Sequence, residues 1–145
     1  YKTGTTLTLK DGMIGRVYVR FVTDAGIDEM QLSGIAVDKK APTKTKIKVN
    51  RSGIKTLKTS TKTSYNKKIK KSAQFVFSAS YGISGKSKTQ YKIVPKGKKA
   101  SKYRWKTANK ITYKKKNKKV SIYARFIDKC GNITQRKSSG FYITK

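Results

Sequence analysis

Apolar and polar side chains change places at a period of two along much of this chain. The pattern is clearest in Ser72-Ala73-Gln74-Phe75-Val76-Phe77-Ser78, Gln90-Tyr91-Lys92-Ile93-Val94 and Val120-Ser121-Ile122-Tyr123-Ala124-Arg125-Phe126-Ile127. A period of two belongs to strands, whose successive side chains point to opposite faces. The β-branched and aromatic residues in these runs suit a pleated, half-buried surface. In the last run Ile122, Ala124 and Phe126 share one face, and Tyr123, Arg125 and Ile127 share the other. No window carries a convincing helical period. Turn-forming residues cluster at 81–86, 95–101, 114–119 and 128–132. Strands are therefore expected near 43–49, 72–79, 88–94, 102–106, 109–113, 119–127 and 140–144. Residues 51–71 are poorly patterned and read as a second piece of the first strand followed by a long polar loop. Short strands at this spacing indicate an all-β fold, a two-sheet antiparallel sandwich.

The pattern also repeats. Val17-Tyr18-Val19-Arg20-Phe21-Val22 returns as Ile122-Tyr123-Ala124-Arg125-Phe126-Ile127, and Ser33-Gly34-Ile35-Ala36-Val37-Asp38-Lys39 parallels Ser139-Gly140-Phe141-Tyr142-Ile143-Thr144-Lys145. Upstream, Tyr1-Lys2-Thr3 parallels Trp105-Lys106-Thr107, so the offset drifts only from 104 to 106 residues. A period of that size indicates tandem domains and a chain cut from a longer protein. Residues 40–145 would be a complete unit and residues 1–39 the C-terminal part of a preceding one. Between them, Pro42 in the linker 38–43 cannot donate to a ladder and separates two sheets. Half a sandwich exposes an edge and an apolar face. Residues 1–39 are thus expected to pair with another copy, by swapping or dimerisation, or to pack on the complete unit.

Charge divides at the same place. The 145 residues hold 37 Lys and Arg against 6 Asp and Glu, for a net +31. Residues 1–39 balance Lys2, Lys10, Arg16, Arg20 and Lys39 against Asp11, Asp24, Asp28, Glu29 and Asp38. Residues 40–145 carry all the excess against a single acid, Asp128. Two units that share a pattern but not a charge do not need the lysines to fold. The excess serves solubility, a partner or a habitat.

The residues now resemble a family. Tyr123-Ala124-Arg125-Phe126 followed by Asp128-Lys129-Cys130-Gly131-Asn132 resembles the Asp-x-Ala-Gly-Asn turn of bacterial immunoglobulin-like repeats. The opening Ala41-Pro42-Thr43 and the stretch Tyr91-Lys92-Ile93 followed by Tyr103-Arg104-Trp105 are similar to theirs as well. Cys130 stands where alanine is usual, and Thr23-Asp24-Ala25-Gly26-Ile27 departs from the turn pattern in the first copy. The resemblance implies an Ig-like sandwich on a bacterial cell surface or a secreted protein, with neighbouring Ig-like repeats as partners. It implies a spacer or display role, an adhesin role, or an accessory domain on a secreted hydrolase.

Little in the sequence promises catalysis. There is no histidine, and residues 40–145 hold one acid, which excludes a paired-carboxylate mechanism there. Gly85-Lys86-Ser87 fails the phosphate-loop pattern because Ser80 stands where glycine is required. Asp24, Asp28 and Glu29 match no calcium-loop spacing. Neither metal nor cofactor is expected. Cys130 allows no intrachain disulfide, and reads as an alanine-like residue in its turn or as a reactive thiol. A disulfide-free secreted protein suits a bacterial exterior, although a cytosolic protein would share the cysteine count. No run of about 18 apolar residues spans a membrane. Asn132-Ile133-Thr134 and Asn50-Arg51-Ser52 fit the glycosylation acceptor pattern, which a bacterial source makes coincidental. Trp105 with Tyr103 and Tyr91 forms either a stacking platform or part of the core.

The lysine runs say more. Lys67, Lys68, Lys70 and Lys71 precede the strand at 72–79; Lys96, Lys98, Lys99 and Lys102 follow that at 88–94. Lys114, Lys115, Lys116, Lys118 and Lys119 precede that at 119–127. Successive connections of an antiparallel sandwich alternate between its ends, so these three runs are expected at one pole. Such a pole would concentrate anions such as wall teichoic acid or glycosaminoglycan. Lysine dominance argues against specific nucleic-acid readout, which favours arginine forks. Lysine is spread through the early strands too, which equally fits a proteome that favours it on every surface.

Overall fold

A computed structural model describes residues 3–4, 6–51, 54–57, 67–70 and 72–144, with residues 50, 51, 54–57 and 67 described by backbone alone. In chain order the strands are β1 (Ile14–Thr23), β2 (Gly26–Ala36), β3 (Thr43–Arg51), β4 (Ile54–Leu57), β5 (Lys67–Lys70) and β6 (Ala73–Ser80). They continue as β7 (Lys86–Pro95), β8 (Lys106–Thr107), β9 (Lys110–Tyr113), β10 (Val120–Asp128), β11 (Ile133–Lys137) and β12 (Phe141–Thr144).

Alternation places the core. In β10, Ile122, Ala124 and Phe126 are fully buried, while Tyr123 and Arg125 between them are half-exposed. In β6, Ala73, Phe75 and Phe77 point inward and Gln74, Val76 and Ser78 are less buried. Strands β5-β12-β10-β7-β8 form one sheet, with β11 also paired to β10; strands β4-β3-β6-β9 form the other. Three aromatic pairs join the two layers. Phe75 meets Phe141 at 4.9 Å, Tyr113 meets Phe141 edge-on at 5.8 Å, and Phe77 stacks on Tyr91 at 5.8 Å. Each such pair stabilises by about 0.5–1.5 kcal/mol beyond its buried area. The fold is an all-β sandwich.

Four features depart from the expectations. First, β5 pairs with β12 in parallel, Phe141 opposite Lys67 and Thr144 opposite Lys70. Only Ile69 among its residues is a core side chain, so alternation had too few apolar points to reveal it. Second, the strand expected near 102–106 is a 3₁₀ turn, Ala100–Lys102, and the two-residue β8, which pairs with β7 through Gln90↔Thr107 and Tyr91↔Lys106. Third, β11 forms between the turn at 128–132 and the last expected strand, where no strand was expected; its residues lie along the flank of β10 and only partly bury. Fourth, β4 continues the first strand's sheet by pairing with β3, while most of the expected polar loop lies outside the described residues.

Residues 14–36 form a separate hairpin of β1 and β2. Its pairing is Tyr18↔Gln31, Arg20↔Glu29 and Val22↔Ile27; β10 and β11 pair as Tyr123↔Lys137, Arg125↔Gln135 and Ile127↔Ile133. Adding 105 on the first strand and 106 on the second carries each pair onto the next, so both hairpins have one register. Their surroundings differ. Ile122, Ala124 and Phe126 are covered by the second sheet, whereas their counterparts Val17, Val19 and Phe21 share an open face with Met30 and Leu32. Phe21 is 52% exposed and Phe126 is 0% exposed. The apolar face of the hairpin is thus left exposed among the described residues.

A basic pole, an aromatic cleft and a carboxylate junction

Three segments converge where β10 begins. Val120 pairs with Pro95 on one side and Phe141 on the other, so the end of β7 and the start of β12 lie level with it. The Lys96 backbone N–H donates to the Lys119 carbonyl at 2.9 Å. Asn117 N–H donates to the Ile143 carbonyl at 2.8 Å, and Lys116 bridges Ile143. The parallel ladder brings Lys68 and Lys70 to the far side of β12. Lys96, Lys98 and Lys99 follow β7, and Lys102 ends the 3₁₀ turn. Lys114, Lys115, Lys116, Lys118 and Lys119 fill the exposed connection from β9 to β10. Of the remaining two sequence-derived lysines, Lys67 is described by backbone alone and Lys71 lies outside the described residues. The nearest carboxylate along β10 is Asp128, 1% exposed at the strand's other end. Like charges crowded together raise the local potential by several kT.

Beside this pole a cleft of about 390 Å³ opens where β7 and β8 face β9. Tyr91, Tyr103 and Tyr113 line it together with Arg104, Lys115 and Lys118. Tyr91 and Tyr113 belong to the core through their contacts with Phe77 and Phe141. Burial raises the Tyr113 phenol above its ordinary value of 10.0, keeping it a protonated donor.

The aromatic platform read from sequence is not assembled. Trp105 has the Lys92 ammonium and the Arg125 guanidinium each 4.5 Å from its ring centre. The Arg125 Nε–H donates to Gln90 Oε1 at 2.7 Å, and Lys92 donates to the Ala100 carbonyl at 2.7 Å, which holds both cations there. Trp105 therefore packs on the outer side of β7 and β10, while Tyr91 faces the core and Tyr103 the cleft. Sequence spacing brought the three rings near one another; strand alternation sent them different ways.

At the opposite pole two buried acids tie the hairpin to the sandwich. Asp38, 7% exposed, accepts from the Ser84 hydroxyl at 2.6 Å, the Ser84 N–H at 3.2 Å and the Lys40 N–H at 2.9 Å. The Ser84 hydroxyl foremost, then the Lys40 and Ser84 amides, hold its carboxyl below the ordinary value of 3.8. Asn132 donates to the Asp38 carbonyl at 2.6 Å and to Asp128 at 2.9 Å. Cys130 is exposed in its turn, its thiol 3.4 Å from the Ala36 carbonyl. Glu29 pairs with Arg20 at 2.8 Å rather than joining Asp24 and Asp28. Among the described residues no three His, Cys, Asp or Glu side chains gather as a metal site would require, and no helix is long and apolar enough to cross a membrane.

No family model, curated protein or solved structure matches this chain.

Proposed function

We propose that this chain is a non-catalytic, Ig-like spacer and display module from the tandem array of a bacterial cell-surface or secreted protein. The observation that carries the reading is the shared register of β1–β2 and β10–β11, one hairpin open and the other closed over by a second sheet. On this reading residues 1–39 end one Ig-like unit and residues 40–145 make the next. The Asp38 junction supports it, because a carboxylate held by three donors from Lys40 and Ser84 restricts how consecutive units bend. Stiffness between units is what a spacer requires. Immunoblots of cells that make the protein test this. The expected band is much larger than 16.3 kDa and is lost when intact cells meet protease. A small, protease-protected band would overturn it.

A second reading is favoured by a different observation, the convergence of Lys68, Lys70, Lys96 and the connection 114–119 at one end. It makes the module an adhesion unit whose basic pole rests on an anionic polymer such as teichoic acid or glycosaminoglycan. Lysines serve such contact as mobile point charges without demanding one geometry. Saturable, salt-sensitive binding of the purified chain to such a polymer is the expected result; no binding at low salt would remove this reading.

A further inference from the structure

The cleft beside the basic pole differs from the pole in having walls. The pole is a set of solvated ammonium groups that attract any polyanion. The cleft is a recess of about 390 Å³ with an aromatic lining and a cationic rim, a size and make-up typical of small-ligand sites. Tyr113 lines it at 7% exposure, and among the described residues nothing hydrogen-bonds its hydroxyl. A phenol in the lining can donate to a hydroxyl or an acid group that enters the cleft. Tyr103 lies on the connection between the 3₁₀ turn and β8. Tyr103 is half-exposed and stands outside the core cluster of the sandwich.

The lining also says what enters. Lys92, Arg104, Lys106, Lys115 and Lys118 stand around it, and among the described residues no Asp, Glu, Asn or Gln does. A ligand there needs negative charge. Among the described lining residues Arg104 is the fork that could bond a guanine edge, and no side-chain amide or carboxylate is there to read adenine or cytosine. An aromatic wall against which an apolar ring face can pack, hydroxyls that bond other hydroxyls, and cations on one rim fit a carboxylated or sulfated sugar. A linear polyol phosphate would use the rim and leave the wall empty.

We propose that this cleft binds one acidic sugar ring of an anionic polysaccharide, with Tyr103 against the ring, Tyr113 bonding a sugar hydroxyl and Arg104 holding the acid group. The inference rests on the adhesion reading above and deepens it, dividing the work between a diffuse pole that captures the polymer and a recess that selects its chemistry.

The full chain tests this by titration with three probes at matched charge: a uronic-acid oligosaccharide, linear polyphosphate and a single-stranded oligonucleotide. Tyr103→Ala and Arg104→Ala are expected to weaken the oligosaccharide about tenfold while leaving polyphosphate within twofold. The double change Lys96→Gln and Lys98→Gln, at pole lysines that do not line the cleft, should weaken the oligosaccharide and polyphosphate alike. If both cleft variants leave oligosaccharide binding intact, the cleft proposal fails while the pole reading stands. If no probe binds at low salt, both fail. A Tyr103-dependent preference for the oligonucleotide would show that the occupant is a nucleobase and overturn the sugar. Circular dichroism on each variant separates lost binding from lost folding.

Discussion

The Asp38 carboxylate and the Ser84 hydroxyl meet at 2.6 Å across 46 residues of sequence, joining the linker to the sandwich. Gly82 sits against the same carboxylate, so closely that a Cβ there would lie 2.6 Å from Asp38 Oδ2. A carboxylate held by three donors has no free rotamer into which it can retreat. Gly82→Ala is therefore expected to destabilise the chain by about 1–3 kcal/mol. In an Asp38→Ala background the same change should cost almost nothing. Urea titrations of the four proteins close that cycle, and equal costs in both backgrounds would show that the crowding is not felt.

The same junction sets an acid response. Asp38 has a depressed carboxyl in the fold, so it holds fewer protons there than in the unfolded chain between the two values. Its stabilisation is complete above the unfolded value near 3.8 and is lost as pH falls through the lower, folded one. Denaturation of the chain and of Asp38→Asn should differ at pH 6 and converge toward pH 2.5. A difference that persists at the lowest pH would refute this origin.

Phe21 and Phe126 occupy one position of a repeated pattern and should respond differently to truncation. Phe126→Ala leaves a void among Phe75-side core residues and is expected to cost about 3–5 kcal/mol. Phe21→Ser alters an open face and should stay within about 0.5 kcal/mol. Thermal melts of both variants measure this. A large loss at Phe21 would mean that its face is covered in solution, and sedimentation would then show association.

Trp105 lies against two cations, Lys92 and Arg125. Removing it as Trp105→Ala forfeits contacts to Lys92 and Arg125, each worth roughly 0.5–1 kcal/mol at a surface. Stability should fall by about 1–2 kcal/mol with polyanion affinity unchanged. Denaturant melts and a binding titration together would show whether the ring instead serves a ligand.

Affinity for a polyanion should fall as salt rises, with a slope set by the number of charges neutralised. Replacing Lys114, Lys115, Lys116, Lys118 and Lys119 by glutamine should flatten that slope by several units, about 0.7–0.9 for each lost phosphate contact. Titrations between 50 and 200 mM salt, roughly the range over which such binding changes most, test it. An unaltered slope would place the contact elsewhere on the chain.

Alternation was enough to locate β3, β6, β7, β9, β10 and β12, because each buries one face and a slip of one residue would expose it. It also matched β1 to β10, whose hairpins share one register although only β10 buries its apolar face. What alternation lacks is any record of partners. The parallel ladder of β5 rests on Ile69 and backbone hydrogen bonds, and β11 on bonds along the flank of β10. Neither leaves an apolar signature. Connection order pointed the lysine runs toward one pole, but Lys68 and Lys70 lie on the parallel strand β5 rather than in a loop, so strand count alone does not account for their place. The cleft was invisible, for its walls come from β7, β9 and the turn before β8, and its existence depends on how far two sheet edges stand apart. The Asp38–Ser84 bond was equally hidden, since nothing in either residue's neighbourhood names the other. The amino-acid order thus determined the strands that bury one face, which of their faces are apolar and how charge divides along the chain, all properties of short spacing. Tertiary packing alone decided the parallel pairing, the open hairpin face and the recess, because each is made by groups far apart in the chain whose meeting depends on sheet geometry.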